Sequence, residues 1–152
     1  MSATMGSANW PFFAALMVKG ADWPFFTNDE LASKDVGYAI MYEPFMRRLV
    51  ALRLLIGLPL PVTSGYRTEA KNRAVHGAPH SAHLYGCAVD IETAGLDVHQ
   101  LVGLAYNLGF TGIHVKNHGP IETRFVHLDY ITDADVPREL EDARPYFHTY
   151  AR

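Results

Sequence analysis

Two short stretches of this chain carry imidazoles and carboxylates at spacings that could gather on one metal ion. In Ser81-Ala82-His83-Leu84-Tyr85-Gly86-Cys87-Ala88-Val89-Asp90, His83 and Asp90 stand seven positions apart; downstream, Phe125-Val126-His127-Leu128-Asp129 supplies a second imidazole in an alternating apolar run. Two nitrogens and one oxygen form a donor set that suits zinc. Three protein donors leave a fourth tetrahedral position for water, which is the arrangement of a catalytic site.

Positioning these groups calls for two neighbouring strands. Gly86 to Ile91 alternates, so a strand there puts Gly86, Ala88 and Asp90 on one face and Cys87, Val89 and Ile91 on the other. The first face is small enough to admit a metal and a substrate, and the second can enter a core. Phe125, His127 and Asp129 likewise share a face, backed by Val126, Leu128 and Tyr130. Adjacent strands would aim Asp90 and His127 at one point. Ser81, His83, Gly86, Ala88 and Asp90 at these spacings arise by chance on the order of once in ten thousand sequences of this length.

The pattern S-x-H-x-x-G-x-A-x-D followed by F-V-H-x-D resembles the zinc D-alanyl-D-alanine carboxypeptidase family. That family also holds phage L-alanyl-D-glutamate endolysins and D-Ala-D-Ala dipeptidases, with the hedgehog signalling domain as a remote relation. The resemblance runs from about Phe26 to Asp129 and includes Ser64-Gly65-Tyr66-Arg67. It implies that His83, Asp90 and His127 are the zinc ligands, that Arg67 holds substrate or oxyanion, and that Ser81 lies in the substrate pocket. Many members place an acidic general base three residues before the last histidine ligand, where this chain has Arg124. Glu122 and Asp129 are then the candidate catalytic carboxylates, with His114 and His118 as further candidates.

Composition excludes several other classes. A net charge of -3 offers no electrostatic grip on nucleic acid or an anionic membrane. Cys87 is the single cysteine, so no internal disulfide can form, and its apolar surroundings read as core. No basic segment precedes the apolar run from Trp10 to Val18, which Pro11 interrupts, so no export signal is expected. The expected location is a phage virion, or a host cytoplasm released at lysis, or alternatively the bacterial cytoplasm.

Residues 1–25 read as an aromatic arm, 26–131 as the zinc peptidase-like domain and 132–152 as an extension. Trp10-Pro11-Phe12-Phe13 recurs as Trp23-Pro24-Phe25-Phe26, aromatic anchors or a docking segment for a virion partner or another copy. Thr27 to Glu30 reads as a capping box with Phe26 as staple. Phe45, Leu49, Leu52 and Ile56 follow the helical period up to a stop at Gly57 and Pro59, with Arg47, Arg48 and Arg53 on the solvated face. Helices are expected again over 68–75 and 97–108, and strands over 110–115 and 123–131 flank a turn with Gly119-Pro120. Pro137 follows Asp135 as the start of a last short helix.

The expected fold is α+β, a small mostly antiparallel sheet with helices on one side. The expected function is a zinc metallopeptidase acting on peptidoglycan stem peptides. Two alternatives are a non-catalytic zinc-binding module of a phage virion or tail, and a cytosolic D-Ala-D-Ala dipeptidase.

Overall fold

The computed structural model describes residues 16–131 and 145–149. The first aromatic tetrad at 10–13, the helix expected from Asp135 and Tyr150 lie outside the described residues. Seven strands and four α-helices are described: β1 (Met17–Lys19), α1 (Asn28–Leu31), β2 (Ile40–Tyr42), α2 (Glu43–Ile56), β3 (Val62–Ser64), α3 (Glu69–Ala74), β4 (Ala88–Glu92), α4 (Val98–Asn107), β5 (Gly112–Lys116), β6 (Phe125–Asp129) and β7 (Tyr146–Thr149). Among them no helix is long and apolar enough to cross a membrane.

Local chemistry sets the helix ends. The Thr27 hydroxyl accepts from the Glu30 amide while the Glu30 carboxylate accepts from the Thr27 amide, closing both ends of the capping box. In α2, Pro44 occupies the first turn and Gly57 ends the helix in the left-handed conformation at φ 69°. Its apolar face, Phe45, Leu49, Leu52 and Ile56, is buried. Arg47 is exposed as expected, but Arg48 lies over the Tyr130 ring, 3.7 Å from its centroid. Thr68 caps α3 and Asp97 caps α4 through side-chain oxygens that accept from the amides three residues on.

Five strands form one sheet in the order β3-β4-β6-β5-β7, antiparallel except for the parallel pair β5 and β7, while β1 and β2 form a separate ladder. The α+β arrangement therefore holds. Val89, Ile91, Ile113, Val115, Val126 and Leu128 share one core with Phe45, Leu49 and Leu52 of α2 and Leu101 and Ala105 of α4. Each of these side chains larger than alanine contributes roughly 1.5–3 kcal/mol by leaving water. The opposite face carries the polar row, with Asp90 paired to His127 and His127 to His114.

Two local features depart from the sequence reading. Gly86 is outside β4; at φ 66° it closes the 3-10 turn Ala82–Tyr85, and the Ile40 carbonyl occupies the space a Cβ would need. Ile40 to Tyr42 form a strand that no alternation announces, because all three residues are buried. From the extension, Tyr146 to Thr149 join the sheet along β5.

Alanine at Gly86 is expected to be costlier than at Gly95, where φ is also positive, at 80°, but nothing lies within 4 Å. Gly95→Ala should lose about 1–2 kcal/mol from backbone strain alone. Gly86→Ala should lose roughly a further 1–3 kcal/mol by collision. Equal urea midpoints for the two variants would contradict this packing.

Candidate metal centre

The 3-10 turn delivers His83, and its ring is oriented from behind. Nδ1 lies 2.7 Å from the Gly65 carbonyl oxygen, which can only accept, so Nδ1 carries the proton and Nε2 presents a lone pair to the site. Ser81 holds the turn by accepting from the His83 amide at 3.3 Å. The Arg67 amide donates to the His83 carbonyl at 3.1 Å, tying the two sequence motifs together through their backbones.

Asp90 and His127 arrive as register partners on β4 and β6. His127 Nδ1 lies 3.0 Å from Asp90 Oδ1 and 3.2 Å from His83 Nε2, and His83 Nε2 lies 3.3 Å from Asp90 Oδ1. Together the three residues form a group able to hold a metal ion. Lone pairs this close repel unless a proton or a cation lies between them. Tetrahedral bonds of roughly 2.0–2.1 Å hold donor atoms about 3.3 Å apart, so the spacing fits a zinc-sized ion.

Behind His127, Asp129 Oδ2 lies 2.9 Å from Nε2, and Asp129 is 0% exposed. Gly112, its register partner on β5, makes this possible, since a Cβ there would collide with the Asp129 carboxylate. The sequence offered Asp129 as a catalytic carboxylate; its position, sealed on the far side of the ring from Asp90, suits orienting His127 instead.

The charges follow from these contacts. Burial disfavours the imidazolium of His127, but hydrogen bonds to Asp129 and Asp90 outweigh it and raise its pKa to about 9. Burial likewise works against the Asp90 carboxylate, and His83 and His127 together overcome it, holding Asp90 well below the usual carboxylate range. For His83 burial wins over Asp90, so its pKa is lowered and its ring is neutral near pH 7.

Arg67 closes the other side. Its guanidinium reaches Asp90 Oδ2 at 3.4 Å, Ser64 Oγ at 3.0 Å and Asn72 Oδ1 at 3.2 Å. Asn72 is buried and donates from Nδ2 to the Ala78 carbonyl at 2.8 Å, so it fixes both Arg67 and the loop before Ser81. Sequence reasoning missed Ser64, Asn72 and Gly112 as supports. Asn72 reads as one more polar residue of a short helix, and only its burial reveals the role.

Other candidates lie apart from the group. Glu122 is exposed on the 3-10 turn Ile121–Thr123, beyond the end of the ladder where Glu92 pairs with Phe125. Arg124 donates from Nε to the Gly119 carbonyl at 2.9 Å and braces that turn. His76 is exposed, while His80 and His118 are partly buried; none belongs to the His83, Asp90 and His127 group.

A family model described as Peptidase M15 matches residues 26–129, a span that takes in Arg67, Ser81, Glu122 and all three donors. Among curated proteins no match was found.

Without metal, His127 should titrate near pH 9 by NMR. Because this folded value exceeds the ordinary imidazole value of about 6.5, the group's stabilisation is complete below about pH 6.5 and fades as pH rises through 9. Asp129→Asn should lower the titration and flatten that loss; an unmoved His127 would contradict the clamp. Asn72→Ala, which strips the partners of two hydrogen bonds, should weaken metal affinity by about tenfold or more in a dye-competition assay. Unchanged affinity would exclude it as a support.

Proposed function

The chain belongs to the Peptidase M15 family, and from that premise we propose that it is a zinc metallopeptidase hydrolysing a peptide bond in bacterial peptidoglycan stem peptides. The observation that carries this reading is the convergence of His83 Nε2, Asp90 Oδ1 and His127 Nδ1 at 3.0–3.3 Å from one another. These residues would hold the zinc, and the bound ion would supply Lewis acidity toward water and the scissile carbonyl.

The remaining residues bind, orient and move protons. Two neutral imidazoles and one carboxylate leave the loaded site with a net charge of about +1, which favours an anionic substrate and developing negative charge. Arg67 steadies Asp90 through Nη2 and, at 15% side-chain exposure, has a limited edge with which to meet a substrate carboxylate or the oxyanion. Ser81 orients His83 and borders the substrate. Asp129 keeps His127 directed through Nε2, so that Nδ1 faces the metal position. No residue is assigned as the water's proton acceptor, because Asp129 is engaged by His127 and Glu122 stands on a turn apart from the metal group.

The bond cut is proposed to be either D-Ala-D-Ala or L-Ala-D-Glu, in a protein of phage origin working in the virion or released at lysis. A second reading, a virion or tail module that keeps the metal without turnover, is favoured by Arg124. This side chain stands where many relatives carry an acid, and here it braces a turn. The cytosolic dipeptidase reading differs in substrate alone.

The test is mass spectrometry of peptidoglycan and stem peptides incubated with the protein, a chelated sample and His127→Ala. New fragments that vanish in both controls establish the metallopeptidase and identify its bond. Intact substrate from metal-loaded protein moves the assignment to the structural module, and cleavage confined to free D-Ala-D-Ala moves it to the dipeptidase. Alanine at His83, Asp90 or His127 should each abolish metal binding while leaving the fold. Metal uptake near pH 7 should release about one proton, that of His127, in a weakly buffered titration; release of none would contradict the assignment of Nδ1 as a ligand.

A further inference from the structure

Ser33, Asp35 and Thr68 make a hydrogen-bonded cluster outside the His83, Asp90 and His127 group. The Ser33 hydroxyl donates to Asp35 Oδ1 at 2.5 Å and the Thr68 hydroxyl donates to Asp35 Oδ2 at 2.6 Å. An ionised carboxylate only accepts, so it fixes both hydroxyl protons. Each hydroxyl then turns a lone pair to a backbone amide: Ser33 Oγ accepts from Thr68 at 3.2 Å, and Thr68 Oγ1 accepts from Lys71 at 3.0 Å. The bonds from Ser33 and Thr68 hold the Asp35 carboxyl below the ordinary carboxylate range, that from Ser33 most strongly. Ser33 and Thr68 are buried, whereas Asp35 is exposed.

Both ends of the cluster are anchored. The Ser33 amide donates to the Tyr38 carbonyl at 3.1 Å, and the Ser33 carbonyl accepts from Gly37 at 2.9 Å. Thr68 directly follows Arg67, and its carbonyl accepts from the Asn72 amide at 2.9 Å. Asn72 Oδ1 in turn accepts from the Arg67 guanidinium at 3.2 Å. A Cβ at Gly77 would meet Asn72 Oδ1 and come within 3.1 Å of Arg67 Nη1, so the guanidinium is closely enclosed on this side. Thr68 therefore holds the backbone of Arg67 directly and its side chain through Asn72.

We propose that Asp35 is a positioning residue for Arg67, acting through Ser33 and Thr68 to keep the guanidinium against Asp90 and toward substrate. What this aim accomplishes in catalysis rests on the metallopeptidase reading; the hold on Arg67 does not. Bonds from hydroxyls to a carboxylate are charge-assisted, which makes Asp35 the strongest partner either hydroxyl has. Without that acceptor both hydroxyls can rotate, and the amides of Thr68 and Lys71 lose lone pairs that were fixed toward them. The start of α3 is then freed, and Arg67 and Asn72 with it.

The test follows the Arg67 Nε–H by NMR in the zinc-loaded full chain, its signal identified by loss in Arg67→Lys. Asp35→Ala should speed hydrogen exchange at this group by about tenfold, and Asp35→Asn, which keeps one acceptor, by less. Asp22→Ala removes the same charge from a carboxylate that accepts from the Asn28 amide at 2.7 Å, and it should leave Arg67 exchange unchanged. On a cleavable stem peptide, Asp35→Ala should lower kcat/KM by about tenfold, but by less than about twofold when Arg67→Lys is already present. Bound zinc should stay at one equivalent throughout. Unchanged exchange in Asp35→Ala, an equal rise in Asp22→Ala, a lost zinc equivalent, or a fall in kcat/KM that persists undiminished beside Arg67→Lys would each overturn the proposal. Should Asp35→Ala not fold, Thr68→Val removes the hydroxyl at similar volume and takes its place with the same expected outcomes. If the native chain cleaves nothing, the peptidase reading fails by itself, and the exchange comparison still decides whether Asp35 positions Arg67.

Discussion

Asp90 stands opposite His127 in an antiparallel ladder, and on this register depends whether three lone pairs meet at one point. A slip of one residue in either strand would turn Asp90 or His127 into the core and bring Val89 or Leu128 to the site. Burial of Val89, Ile91, Val126 and Leu128 on the other face makes such a slip expensive. The Tyr130 amide, donating to the Cys87 carbonyl at 3.1 Å, continues the pairing past the end of the ladder. The hydrophobic core thus sets the geometry of the polar face.

Across that face the charges alternate: Arg67, Asp90, His127, Asp129. Each carboxylate has a cationic or donor partner, and the His127 imidazolium between Asp90 and Asp129 supplies positive charge to both. Buried charges on this scale are tolerated only when every one is paired. The same pairing explains why His83 and His127 behave in opposite ways. His83 donates to a neutral carbonyl and burial keeps it uncharged, whereas His127 has a carboxylate on both sides. A metal bound by this group would replace the proton of His127, one cation for another.

Much of this was readable from the sequence because residue type and spacing carried it locally. Helix α2 follows from its apolar period and Gly57, the capping box from Thr27 and Glu30, and the hairpin of β5 and β6 from two apolar runs around Gly119-Pro120. The donor set was readable from one motif and its echo. Other features depend on long-range contacts that leave no periodic mark. Gly86 looked like a strand residue, yet the Ile40 carbonyl from a distant segment decides its conformation. Asn72 and Gly112 act through burial and available space, and the enclosure of Asp129 beside His127 is likewise set by the sheet. Strand β7 is four residues long and pairs in parallel, which requires a crossover that no local pattern encodes.

The central claim is that one ion binds where His83, Asp90 and His127 converge, and anomalous diffraction at the zinc edge from crystals grown with zinc tests it most directly. The account predicts a single peak within about 2.0–2.2 Å of His83 Nε2, Asp90 Oδ1 and His127 Nδ1, with Asp129 still bonded to His127 Nε2. A peak bound elsewhere, or a His127 turned to ligate through Nε2 with Asp129 released, would contradict it.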